Sequence, residues 1–595
     1  MDRSPSEPNC RTSSTSIGPM TAMAPKPVAM YSRIRGRATG RSTDDSVGLG
    51  AAEVTARFSH GQSGPIATIT SLVLMKATSI GHAGILIETT DGSIVCDPWF
   101  LPAFRGSWCV FPRNDQLSSD LMARIENPDY LYISHIHGDH LDELWLPDHI
   151  NREATVLVPG FPTDELERRL RALGFANVIR TVDGQEIVLN GDLRIAIHCE
   201  TSITDGPGGD SAIVVSDGIS RLVNQNDCRT TDLGSLRSHG PIDLHWIQYS
   251  GAIWYPMVYD ETPQVMRELV DAKVESQFTR AMRYVEALDA RCVVPSAGPP
   301  AFLDPDLFHL NMITGDELSI FPDQRSFMTL LDASNREGIL AIPGTEIELR
   351  SDGYSVTHPI DDDSVAGIFN EKLEYLRRYQ ADWLPWIEEL KTTWAEPTDD
   401  LIETLAAWWE PLLAMAPTLR KGIDDICVVH AGDLAIAIDF RDGTVRGWAG
   451  EPDGFSFHID RRLVETVVAE HAVDWSNSLF LSCRFKAWRS GPYNEFVYNF
   501  FKSLSEERMR RTEAEALRKL DPDRGGIAGE EIRIGDYIVE RTCPHRRADL
   551  SVFGEIDGEN LVCTLHGWRF NLETGRCVNA DEQILRVRRA ESSEV

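Results

Sequence analysis

No stretch of the chain reads as a membrane span, which needs about eighteen or more consecutive apolar residues. The greasiest segment, "LAAWWEPLLAMAP", is shorter and carries Glu410 and Pro411. Positive charge is scarce as well: 58 Lys and Arg stand against 91 Asp and Glu, a formal net charge of −33 at pH 7. That excludes general nucleic-acid binding, which needs a basic footprint. It implies a solvated acidic surface, able to meet a basic redox partner. The 11 cysteines come without a secretory signal, so thiols or metal ligands in a reducing, cytoplasmic setting are expected. Also missing is a G-x-G-x-x-G behind a strand, so no NADH or flavin site is expected. "DGPGGD" at 205–210 is a loop with no helix start behind it.

What is present is too long for one core: 595 residues, 42% hydrophobic and 25% charged, read as about three or four domains. Residues 1–70 are rich in Ser, Thr, Arg, Gly and Pro and cannot bury enough surface to order themselves. They are expected as a disordered tail, faintly like a transit peptide, or as a start assigned too early with Met75 as the first residue. From "SLVLMKATSIGHAGILIETTDGSIVCDPWF" onward, apolar alternation marks strands, the first pair turning at Asp91-Gly92. Helical stretches such as "TDELERRLRALG", capped by Thr163 and stopped by Gly174, alternate with strands to about residue 349. A layered α/β domain over 71–349 follows. Residues 350–520 read as a helix-rich α+β domain whose aromatics form core rather than a cofactor box. "DPDRGGIAGE" is a linker, and 528–595 returns to short strands and turns.

Two clusters carry metal-type chemistry. The first is Cys543-x-His545, seventeen residues, then Cys563-x-x-His566. Four such residues could hold one zinc ion, or a 2Fe–2S cluster with two thiolates on one iron and two imidazoles on the other. "HRRADL" and "HGWRFNLETGRC" resemble the two binding loops of Rieske ferredoxins and Rieske oxygenases. The resemblance implies a turn at Gly567, Trp568 packed over the loop, and an electron-transfer cluster. "EIRIGDYIVERT" supplies about one strand, so the module is expected to borrow sheet from a neighbour. Cys577 has no partner at the spacing of the extra disulfide of respiratory Rieske proteins, which implies an oxygenase-like cluster.

The second cluster, "SHIHGDHLD", follows the apolar strand "DYLYI". His135 and His137 share one side of extended chain, and Asp139 and His140 reach a further position in the turn. Imidazoles with a carboxylate suit zinc, iron or manganese. This string, with Gly81-His82, Asp97-Pro98 and the Asp227 of "LVNQNDC", resembles the metallo-β-lactamase fold, in which Asp227 takes the bridging role. Two departures stand out. In "HCETSITDGPGGDS", Asp205 and Asp210 are better placed than His198, which implies a carboxylate ligand. "VVPSAGPPAF" offers Ser296 where a last His is usual, leaving His245 and His309 as substitutes that read better as structural. Fewer imidazoles and more oxygen ligands move the site toward non-haem iron.

Together the modules resemble the CMP-N-acetylneuraminate hydroxylase family, with the Rieske module at the opposite end of the chain. The resulting expectation is a multidomain protein: an αββα metallo-β-lactamase-like domain, a middle α+β domain and a small all-β Rieske domain. The resemblance implies a monooxygenase with one or two non-haem irons on His135, His137, Asp139, His140 and Asp227. Electrons would come from a 2Fe–2S cluster on Cys543, His545, Cys563 and His566, fed by an external reductase or ferredoxin. Dioxygen and a small polar metabolite, such as a sugar or nucleotide-sugar, would be the substrates, and a homo-oligomer is compatible. The alternatives are a lactonase-like metallo-hydrolase with an accessory Rieske module, and a metal-free electron-transfer scaffold. Arg484, Lys486 and Arg489 cluster near Trp488 and Tyr493, suiting an anion, a neighbouring domain or a solvated edge. The surrounding stretch faintly resembles sterol-carrier-like domains, which imply a hydrophobic substrate or a dimer interface.

Overall fold

The computed structural model describes residues 73–200, 209–230, 232–251, 253–313, 318–520, 530–544, 550–563, 568–578 and 584–590. Two sheets build the N-terminal half. The first has eight strands, running spatially from Gly353–Thr357 and Glu346–Arg350 through Val73–Gly81, Gly84–Thr89 and Gly92–Cys96. It continues with Tyr130–Tyr132, Thr155–Val158 and Val178–Arg180, parallel from Gly92–Cys96 outward. The second has six strands, in the order Cys292–Ser296, Leu244–Gln248, Arg221–Asn226, Asp210–Ser216, Leu193–Glu200 and Glu186–Asn190. Its first three are mutually parallel and the rest antiparallel.

Side chains alternate across a strand, so each sheet has an inner and an outer face. Met75, Ala77, Ile85 and Ile87 of the first sheet meet Ile195, Ile197, Ile213, Val215 and Trp246 of the second in one core. The outer face of the second sheet, with Ala196, Val214, Val223 and Ile247, packs beneath the helix Pro263–Leu288. Over the outer face of the first, Arg124 of the helix Ser119–Glu126 reaches strand residues Glu88 and Glu346 at 2.6 and 2.9 Å. The result is the αββα layering of the metallo-β-lactamase fold. Strands buried on both faces need continuous apolar runs, and Asp210–Ser216 is buried throughout.

The middle region folds as α+β. Its five-stranded sheet runs Thr444–Gly447, Leu434–Asp439, Ile426–Ala431, Phe455–Ile459, Phe485–Arg489. Helices Leu401–Ala414, Arg461–Ala469, Glu495–Lys502 and Glu506–Leu520 accompany it, and Trp409, Trp475, Phe500 and Phe501 interlock in the core. The edge strand Phe485–Arg489 is joined to the N-terminal half through Ala487 N–H donating to Val258 O at 2.9 Å.

Two local expectations need correction. The helix Glu165–Ala172 has Asp164 rather than Thr163 at its N-cap, because its first helical residue is Glu165 and the capping position falls on the residue before it. At the C-terminus, "EIRIGDYIVE" supplies two strands, Glu531–Ile534 and Tyr537–Glu540, around Gly535 at φ 58°. Their sheet is completed by Val587–Arg589 from the same module, not by a neighbour. A second three-stranded sheet, Gly554–Asp557, Asn560–Cys563 and Trp568–Asn571, carries Cys563 at a strand end.

Candidate metal centre

The N-terminal cluster forms where several strand ends meet at one edge of the sandwich, the usual place for sites in open α/β sheets. Tyr130–Tyr132 leads into Ser134 and His135, Gly92–Cys96 into Asp97, and Arg221–Asn226 into Asp227. Asp210 opens its strand at the same edge, and His82 occupies the tight turn behind Val73–Gly81. His82, Asp97 and Asn226 all hold positive φ (54°, 43° and 39°). For non-glycine residues this costs on the order of 1–3 kcal/mol each and is tolerated mainly where a site needs a particular aim.

Two sets of three ligand atoms converge, each within 4.8 Å of one another: His82, Asp139 and His140, and His135, His140 and Asp227. His140 belongs to both. Its Nδ1–H donates to Asp97 Oδ2 at 2.9 Å, a carboxylate being acceptor only, which turns Nε2 toward Asp227 Oδ1 at 3.6 Å. Ser134 fixes Asp97 from its backbone N–H (2.8 Å) and its hydroxyl (2.7 Å). Such outer partners orient an imidazole for metal and raise its basicity. His82 Nε2 lies 3.1 Å from Asp139 Oδ2, and His135 Nδ1 lies 3.2 Å from Asp210 Oδ1.

Charge follows this geometry. Burial opposes a charged His140, but Asp139, Asp227 and Asp97 outweigh it and raise its pKa well above the ordinary imidazole value. Burial likewise opposes ionisation of Asp139 and Asp227, and His140 leads the groups that hold both below the usual carboxylate range. Burial raises Asp210 despite His135. Burial, then the neighbouring His135, pushes His137 down to about 3.

The residues fit a metal. His82 Nδ1, His137 Nε2, Asp139 Oδ1, His140 Nε2 and Asp227 Oδ1 are buried without a hydrogen-bond partner among the described residues. Buried polar atoms are rarely left so, and imidazole nitrogens with carboxylate oxygens are the donor set for zinc or non-haem iron.

Of the residues expected from sequence, His135, Asp139, His140 and Asp227 come together. His137 touches His135, Nδ1 to Nε2 at 2.7 Å, but joins neither set. His82, expected only as part of a fold motif, is a candidate ligand. The signal was its position in a turn beside the strand leading to Asp97. Asp210 faces His135, whereas Asp205 lies outside the described residues. His198 turns away to His239 (2.9 Å), and His245 is buried against Gln225 (2.9 Å). Ser296 is buried, and its hydroxyl has no partner among the described residues.

At the other end of the chain, Cys543 and Cys563 are fully buried in a cluster with Leu550, Phe553, Leu561, Trp568 and Phe570. His545, His566 and Gly567 lie outside the described residues. The same apolar cluster includes Tyr284, Val285 and Leu288 of the helix Pro263–Leu288. Tyr284 meets Phe553 edge-on at 5.4 Å, and its hydroxyl donates to Thr230 O at 2.9 Å, three residues beyond Asp227. Arg283 pairs with Glu555 across the same seam.

Comparison with known proteins separates the two halves. Residues 530–587 match the model of the Rieske [2Fe–2S] domain. The chain therefore carries such a domain, which decides between one zinc and a 2Fe–2S cluster in favour of the cluster. Residues 401–518 match the Rv3818-like, SCP2-like domain, the counterpart of the sterol-carrier-like stretch read from sequence. A cytidine monophosphate-N-acetylneuraminic acid hydroxylase of Cricetulus griseus is 25% identical over 38% of this chain and 40% of its own length. No helix among the described residues is long and apolar enough to cross a membrane. Two relatives named only as Rieske 2Fe-2S iron-sulfur proteins match far more of the chain. That of Mycolicibacterium smegmatis is 39% identical and that of Mycobacterium tuberculosis 40%, each over 87% of this chain and 100% of its own length. The chain belongs to the family of these mycobacterial Rieske iron–sulfur proteins.

Proposed function

We propose that this protein is a Rieske-coupled non-haem iron monooxygenase that hydroxylates or N-oxygenates a small polar metabolite, in the manner of a sugar or nucleotide-sugar. The observation that carries the reading is the seating of the Rieske module on the helix whose Tyr284 hydroxyl holds the loop after Asp227. A Rieske cluster delivers one electron at a time, and hydrolysis on a metal uses none. Monooxygenation does: substrate C–H or N–H, dioxygen, two electrons and two protons give the hydroxylated product and water. The electrons come from an external reductase or ferredoxin. The hydroxylase named among the relatives supports the same reaction class.

His82, His135, His137, Asp139, His140 and Asp227 would hold iron, which when bound supplies the redox chemistry for activating dioxygen. The chain's own contribution is positional. Asp97 and Ser134 fix the ring of His140, and Asp210 that of His135. Trp99, fully buried and edge-on to His82 at 5.0 Å, helps keep water from that side of the centre.

Metal and sulfide analysis of protein purified without added metal tests the reading. About three or four irons with two sulfides per chain are expected; about two irons with zinc in the remaining site would favour a hydrolase. A second expectation concerns the seam. Tyr284→Phe keeps the ring against Phe553 and removes one hydrogen bond worth about 1 kcal/mol, or about fivefold in an equilibrium. Substrate-dependent reoxidation of the reduced Rieske centre should slow by about that factor with its spectrum unchanged; equal rates in stopped flow would remove the hydroxyl from the coupling.

A further inference from the structure

Where the edge strand Phe485–Arg489 meets the N-terminal half lies a cavity of about 510 Å³ that opens to solvent. None of the candidate metal ligands lines it. Arg484 does, entering from the residue after Cys483, whose positive φ of 57° ends a short 3-10 turn. Its side chain is only 8% exposed, and Nη1 donates to the fully buried Asp304 at 2.6 Å. Nε and Nη2 are buried and have no hydrogen-bond partner among the described residues. These two N–H groups form one edge of the guanidinium, the planar fork that takes a carboxylate or phosphate in bidentate fashion.

The surrounding charge favours an anion at that edge. Asp304 is shared by Arg484 and by Lys391 at 2.7 Å, and Lys391 also pairs with the more exposed Glu388 at 3.1 Å. Lys486 adds another ammonium on the cavity wall, and burial, then Lys486, lowers the pKa of His309 beside it. Of the acids bordering the cavity, Asp460 is engaged in capping Arg462 N–H and Leu463 N–H, while Asp306 is exposed. Arg462 is itself engaged, with Trp394 O and Glu396. The remaining wall is apolar apart from the exposed His458, and Trp394 faces the Arg484 guanidinium at 5.7 Å from its ring centroid. A concave cavity of this size, lined by apolar side chains together with several charged ones, has the character of a small-molecule site.

We propose that this cavity binds an organic anion, a carboxylate or phosphate monoester on an aromatic or aliphatic body, with the head on the Nε–Nη2 edge of Arg484. An unpartnered buried guanidinium edge is costly until a ligand supplies the acceptors. The site is separate from the proposed oxygenase centre and does not depend on that reading.

The test is isothermal titration of the full-length holoprotein with phenyl phosphate and with benzoate, benzyl alcohol serving as the neutral control. Saturable binding of at least one anion is expected, with no heat from benzyl alcohol. Arg484→Gln and Lys486→Gln should each weaken it at least about tenfold, charge-assisted hydrogen bonds being the strong ones. Lys486 is exposed, so its variant keeps the test valid if the buried Arg484 variant fails to fold. The anion that binds more tightly identifies the head group. Failure of both anions to bind, equal binding of benzyl alcohol, or full affinity in the Lys486 variant would overturn the proposal.

Discussion

His140→Ala empties the N-terminal centre of metal while leaving the Rieske absorption intact. No other residue belongs to both ligand sets, and its Nε2 is aimed by the Asp97 bond at Nδ1. With the ring gone, the buried carboxylate of Asp97 loses the Nδ1–H it accepts from. Removing one partner of a buried charge group costs about 3–5 kcal/mol, so the variant should also unfold more readily. Metal per chain falls to the cluster's share of about two irons. Dioxygen-dependent turnover falls below detection, and the visible spectrum of the Rieske centre does not change. Asp97→Asn is the milder partner experiment. It keeps the volume but weakens the hold on His140 Nδ1, and disturbing such an outer partner costs about 10–100-fold in metal affinity or activity. Retention of the N-terminal metal by His140→Ala would remove the centre from the residues assigned to it.

What could be read from sequence here was whatever one strand and its following turn decide. His135, Asp139 and His140 follow a single apolar strand, so spacing alone put them at one end of it. Asp227, at the end of another strand, was reached only through the resemblance to the metallo-β-lactamase fold and its bridging aspartate. The role of His82 was hidden because it depends on how far apart the ends of different strands lie, a property of the folded sandwich. Asp97 was visible as a motif residue, but its grip on His140 was not. The 26-residue helix Pro263–Leu288 gave no clear amphipathic stripe. It lies between the second sheet and the Rieske module, so apolar residues occupy more than one face, and even Gln277 and Arg280 are buried. The basic patch shows the same limit. Arg484 goes inward to Asp304, whereas Arg489 lies over the rings of Tyr255 and Tyr259 at 5.5 and 5.3 Å, so the three cations do not act as one surface.

His566→Ala should produce the complementary loss. A Rieske cluster places two thiolates on one iron and two imidazoles on the other, so this change takes one of the latter's two protein ligands. Cys543 and Cys563 are fully buried in an apolar cluster that also holds Phe553 and Tyr284. Buried thiolates without their irons are poorly solvated, and burial favours the neutral thiol. The visible absorption and about two irons and two sulfides per chain should therefore disappear. The αββα region, with its own core between two sheets, should keep its metal and its near-ultraviolet signal. Turnover should stop here as well, although the N-terminal centre is full, because electrons no longer arrive. The two variants thus fail for opposite reasons, one holding a cluster without a site to reduce and the other a site without a source. Mixing them tests the route. If electrons pass only within one chain, the mixture stays inactive; recovery of activity would mean that the Rieske module of one copy serves the metal centre of another. Turnover by His566→Ala alone, driven by the same external reductant, would end the two-centre mechanism.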